Sequence, residues 1–194
     1  MTKVLILDGH PDRTEEHLCH ALAEAYAQGA EAGGHAVRRM KIADLEYSLL
    51  RRGADFEGAT PPPADIAAAQ RAIREAEHIV LVFPLWLGGM PALLKGFLEQ
   101  TLRPDFAFER AESGFPKRLL KGRSARLVVT MGMPTLLYRF YYGAPSIKSL
   151  EMHILKFCGI NPVRRSLFGM VEAVTDQQRE TWLEKLRDLG RKAR

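Results

Sequence analysis

Only two cysteines occur in 194 residues, Cys19 and Cys158, far apart and each inside a helix-like stretch. They form no disulfide framework and no metal cluster, and both read as buried core thiols. No His or Cys pair has zinc spacing, so no metal site is expected, and His17 and His20 read as helix-surface residues. Also missing are a Walker loop and the GxGxxG dinucleotide fingerprint. No serine sits in a nucleophile elbow or beside a base, and Asp8, Asp44, Glu99 and Asp105 make no recognisable catalytic pair, which leaves hydrolysis unsupported. The longest charge-free run, His78 to Leu94, is short for a membrane span and is broken by Pro84, Gly88, Gly89 and Pro91. It reads as core. The N-terminus opens directly into Lys3-Val4-Leu5-Ile6-Leu7 without a charged lead or cleavage site, so a cytoplasmic location is expected. The formal charge of +5 is spread without a basic stripe interleaved with aromatics, and nucleic acid is not an expected partner.

A hydrophobic share of 46% against 26% charged suits one globular domain over residues 1–194. Strand-like and helix-like segments alternate, the pattern of a parallel sheet covered by helices. Strands are expected at Val4–Leu7, His35–Met40, Ile79–Phe83, Arg126–Thr130 and Val163–Val171. Thr14 looks like the N-cap of the first helix, with Glu15 and Glu16 complementing its dipole. Further helices are expected at Asp65–Ala76, Pro91–Leu102, Ser146–Phe157 and Asp176–Gly190. Leu45–Pro63 and Arg103–Gly122 read as long irregular insertions. The whole suits an α/β three-layer sandwich of the flavodoxin-like kind, a five-stranded parallel sheet in order 2-1-3-4-5 with helices on both faces. In such a sheet ligands bind beyond the carboxyl ends of the strands, where the winding reverses. Three loops then frame the expected site: 9–14, 84–90 and 131–138.

Phe83-Pro84-Leu85-Trp86-Leu87-Gly88-Gly89-Met90-Pro91 is the most informative of these, because it joins a buried strand to a helix through a glycine-bearing turn. Free N–H and C=O groups there can bond the edge of a heteroaromatic ring while Trp86 or Leu87 covers its face. The first loop, Asp8-Gly9-His10-Pro11-Asp12-Arg13-Thr14, leads into a helix N-terminus. Either an anion site or a capped surface turn fits it, and Glu15 with Glu16 argue against a nearby dianion. In the third, Gly132 lets the backbone approach a ring, and Tyr138, Tyr141 and Tyr142 follow as an aromatic cluster that suits packing as well as ligand contact.

Phe83-Pro84-Leu85-Trp86-x-Gly-x-x-Pro91-Ala92-Leu93-Leu94-Lys95-Gly96-Phe97, followed by Phe106-Ala107-Phe108, resembles the flavodoxin-like NAD(P)H:quinone oxidoreductases of the DT-diaphorase type. His10 with Arg13-Thr14, Thr130 with Gly132, and Phe157-Cys158-Gly159 match further segments of that family. The resemblance implies a homodimer binding a flavin, FMN or FAD, with NAD(P)H as donor and a quinone-like acceptor sharing one pocket. It implies that Pro84, Leu85, Trp86, Leu87 and Gly88 hold the ring, that Thr130, Met131, Gly132 and Met133 approach its far side, and that His10, Arg13, Thr14 and His17 meet phosphate. It gives Tyr138 the catalytic role of steadying negative charge on flavin or acceptor. The competing expectation is a non-catalytic regulatory or partner-binding subunit that keeps the fold.

Overall fold

Five of the six residues of β1 (Lys3–Asp8) and all seven of β3 (His78–Pro84) are buried, so these strands turn apolar side chains to both faces of a sheet. The computed structural model describes residues 1–110 and 114–194. Residues 111–113 fall within the insertion expected at 103–122, and that part of the expectation lies outside the described residues. Around β1 and β3 stand β2 (Ala36–Lys41), β6 (Ser124–Thr130) and β7 (Val163–Phe168), all parallel in the order β2-β1-β3-β6-β7. With the short antiparallel hairpin β4 (Phe108–Glu109) and β5 (Lys117–Arg118) set aside, this is the 2-1-3-4-5 order.

Alternation along the strands builds two apolar layers. Leu5, Leu7, Ile79, Leu81, Phe83, Leu127 and Val129 share one with residues of α3 (Ala64–Glu75), α4 (Ala92–Thr101) and α5 (Pro145–Ser149). Val4, Ile6, Val80, Val82 and Val128 share the other with α1 (Leu18–Ala32) and α7 (Asp176–Arg191). The last two helices touch through glycines: a Cβ on Gly29 would lie 2.0 Å from the Arg187 carbonyl oxygen, and one on Gly190 would lie 2.2 Å from that of Tyr26. Among the described residues no helix is long and apolar enough to cross a membrane.

Several boundaries differ from expectation for physical reasons. α1 starts at Leu18, with His17 rather than Thr14 in the capping position, because the Asp12 carboxylate takes both the amide and the hydroxyl of Thr14 into a tight turn. The insertion at 45–63 holds a one-turn helix, α2 (Gly53–Phe56), and is tied to α4 by Tyr47 Oη donating to Leu93 O at 2.8 Å and Gln100 Nε2 to Ser48 O at 2.6 Å. β7 stops at Phe168, short of the expected Val171, where the backbone of Met133 and Thr135 presses on Gly169 so closely that a Cβ there would sit 2.6 Å from Met133 O. The helix expected at Ser146–Phe157 passes from α5 through a π-helical stretch, Leu150–Leu155, before α6 (Lys156–Cys158).

Candidate functional site

The chain winds from β1 outward to β2 and returns inward to β3, so the crevice beyond the carboxyl ends of β1, β3 and β6 is the switch point of the sheet. The loop after β3 is held by three backbone bonds. Leu85 N donates to Thr130 O at 2.7 Å, Trp86 N to Gly89 O at 2.8 Å, and Gly89 N to Trp86 O at 2.9 Å. Leu87 and Gly88 close the turn with φ of 47° and 77°, the left-handed pair that a two-residue hairpin turn of this hand requires. Glycine meets the second position without penalty; Leu87 carries the steric cost at the first. Their two amides donate to no protein group among the described residues. The Trp86 indole beside them is 52% exposed and Leu87 is fully exposed. Two free donors beside an uncovered apolar face fit the polar edge and flat face of a heteroaromatic ring. Pro84 is buried as the last residue of β3, and the Leu85 and Trp86 amides are already spent, so of the stretch 84–88 only Leu87 and Gly88 offer a backbone donor.

The opposite wall differs more from expectation. Thr130 is buried, its hydroxyl 3.3 Å from Cys19 Sγ in the α1 layer. Met131 belongs to the main core with its amide bonded to Phe168 O, and Met133 is partly buried against that core. Gly132 alone faces open space: a Cβ there would approach only Glu172 Oε1, at 3.9 Å. Tyr138, expected to face the acceptor, is 2% exposed, because a π-helical turn at Leu137–Tyr141 rotates its ring into the core. Its hydroxyl lies against the amides of Ser146 and Ile147 without a well-formed hydrogen bond, and burial raises its pKa. Phe140 and Tyr141 of the same turn, with Leu136 and Tyr142 at its two ends, are exposed.

The first loop is a knot of histidines and carboxylates. Gly9 N donates to Val82 O at 2.7 Å, which pins the loop to β3. His10 is buried and stacks on His17 with ring centres 3.8 Å apart; its pKa is lowered by burial first and by His17 next. Asp12 Oδ1 accepts from Thr14 N at 2.8 Å and Thr14 Oγ1 at 2.7 Å, while Asp12 Oδ2 lies 2.9 Å from His17 Nε2. Of the four residues expected to meet phosphate, His10, Arg13, Thr14 and His17, three are therefore engaged inside the loop. Arg13 is exposed and makes no ion pair among the described residues. Sequence reasoning missed the pairing of Asp8 with His20, Oδ2 to Nδ1 at 2.5 Å, and the part played by Asp12. An acid ending a strand and a histidine in the first turn of the next helix was the available signal. Cys19 and Cys158 are buried as expected, and burial pushes both thiols up to about 12.

The ring end of the crevice thus fits a flavin; at the tail end the Thr14 and His17 donors are in use and Arg13 stands exposed. The family described by a flavodoxin-like fold matches residues 2–189. A Haemophilus influenzae protein named as an uncharacterized NAD(P)H oxidoreductase is 27% identical over 183 residues, 93% of this chain and 90% of its own. A Listeria monocytogenes protein named FMN-dependent NADH:quinone oxidoreductase 2 is 29% identical over 185 residues, 84% of each. Among solved structures, the NAD(P)H:quinone oxidoreductase from Methanothermobacter marburgensis superimposes with a TM-score of 0.83 at 23% identity, over 100% of this chain and 99% of that one.

Proposed function

The chain belongs to the flavodoxin-like fold family, and from that premise we propose a flavin-dependent NAD(P)H oxidoreductase that reduces quinones or similar small electrophiles in a ping-pong cycle. The observation that carries the reading is the Trp86–Gly89 turn, with two free amides and a half-exposed indole at the switch point. Relatives named as NAD(P)H and quinone oxidoreductases support catalysis over a non-catalytic subunit.

When bound, a flavin supplies the two-electron chemistry, accepting hydride from a nicotinamide and passing it to the acceptor. The residues do the rest. Leu87 and Gly88 amides orient the ring edge and oppose charge that builds there on reduction. Trp86 would pack on the ring, and the open space at Gly132 would leave room for donor and acceptor in turn. Thr130, through its carbonyl bond to Leu85, fixes the spacing between the two walls. Tyr138 shapes the wall from beneath rather than touching the acceptor, and the proton that follows hydride comes from water. The exposed Trp86, Leu87, Phe140, Tyr141 and Tyr142 support a second copy as the cover of the crevice in a homodimer.

Oxidation of NADH or NADPH by protein loaded with flavin tests the reading. Consumption that requires both flavin and an added naphthoquinone, with parallel double-reciprocal plots, is expected. No quinone-dependent consumption with either nucleotide contradicts it.

A further inference from the structure

Two carboxylates stand where the tail of a flavin would reach the first loop. Ligand atoms of Asp12, Glu15 and His17 lie within 4.8 Å of one another. The Asp12 carboxylate already holds the three donors a phosphate would seek: Thr14 N, Thr14 Oγ1 and His17 Nε2. Those bonds, His17 first and Thr14 next, keep its pKa well below the usual carboxylate range, so Asp12 carries its charge at every working pH. Glu15 is exposed beside it, and no hydrogen bond or ion pair of Arg13 offsets the pair among the described residues. A doubly charged phosphate monoester entering here displaces a bonded carboxylate and then faces a second one at close range.

Resting on the flavin reading above, we infer that Asp12 and Glu15 are specificity-determining residues that select against a flavin tail ending in a phosphate dianion. The tails that remain are uncharged, as in riboflavin, or carry a single charge on each phosphorus of a diphosphate, as in FAD. The seat gains little from a terminal phosphate, because the Thr14 amide, the Thr14 hydroxyl and the His17 ring are spent on Asp12. Neutralising Asp12 loosens its hold on those donors, and neutralising Glu15 removes its repulsion.

The test is a set of equilibrium titrations by flavin fluorescence, with chelator present so that no divalent cation bridges the charges. Wild-type protein, Asp12→Asn and Glu15→Gln are each titrated with riboflavin, FMN and FAD. Wild type is expected to bind FMN no more tightly than riboflavin. Each substitution is expected to tighten FMN by about fivefold or more, a size set by repulsion between partly exposed charges, while riboflavin stays within about twofold. Glu15→Gln is the check against loop collapse, because the Glu15 side chain holds no loop hydrogen bond among the described residues. Wild type binding FMN tenfold tighter than riboflavin, or both variants leaving FMN unchanged or weaker, overturns the inference while the flavin reading stands. Failure of all three flavins to bind any form overturns both.

Discussion

The amide of Leu85 donates to the carbonyl of Thr130 at 2.7 Å, which locks the loop leaving β3 to the end of β6. This bond continues the strand pairing by one residue beyond Pro84↔Thr130. It therefore fixes the height at which the Trp86–Gly89 turn stands above the sheet. Everything assigned to the turn depends on that rigidity, since free amides hold a ring in place only when the backbone carrying them does not move.

Gly88→Val should separate turn geometry from general stability. At φ of 77° a β-branched residue costs about 1–2 kcal/mol and reorients the amides at the tip. Riboflavin affinity is expected to fall about tenfold, equivalent to about 1.4 kcal/mol. Gly58→Val is the control, at φ of 98° in an exposed loop away from the crevice. It should lose similar stability in urea unfolding and keep its flavin affinity.

Gly29→Ala tests the contact between α1 and α7. Its Cβ would lie 2.0 Å from a backbone oxygen, and neither helix has a flexible side chain there to yield. Unfolding free energy is expected to fall by about 3 kcal/mol, because overpacking forces the helices apart. An unchanged urea midpoint would mean that the helices do not meet at this point.

Stability should decline in mild acid through His78. This ring is 1% exposed at the start of β3, with Nδ1 2.7 Å from Ser124 Oγ and Nε2 without a partner among the described residues. Burial first, then Arg126 and Arg164, lowers its pKa to about 4. The unfolded chain, titrating near 6.5, takes up the proton earlier. The stabilisation is thus full above the unfolded value and is lost as pH falls toward the folded one. Between pH 7.5 and 5 the loss is about 2 kcal/mol, and urea midpoints of wild type and His78→Gln should show the variant with the shallower decline.

The same sheet shows what the sequence made legible and where it stopped. Runs such as Ile79–Phe83 name the central strands, because burial on both faces leaves no room for polar residues, and the arginines of β2 mark it as an edge. Strand order followed from the alternation of elements. Helix starts were less legible: Thr14, Glu15 and Glu16 have the composition of a capped first turn, yet Asp12 two residues earlier captures Thr14. The hairpin β4–β5 is two residues on each side, too short for periodicity to register. Around the site, Trp86 and Gly88 were readable from turn chemistry. The inward rotation of Tyr138 was not, because a π-helical turn shifts which residue faces the core without changing composition.

Tyr138→Phe follows from that rotation. The hydroxyl removed is buried and poorly bonded, so stability should hold or rise by about 1 kcal/mol. Quinone-dependent turnover should stay within about twofold of wild type, since the group does not reach the reacting atoms. A large fall in kcat at unchanged stability would return the catalytic role to this residue.

The central claim is that the Leu87 and Gly88 amides hold the ring. Backbone amide resonances of isotope-labelled protein, followed during a titration with riboflavin, test it most directly. The account predicts that these two signals move downfield furthest and saturate together with the quenching of flavin fluorescence. Saturable binding that leaves both unmoved would contradict it.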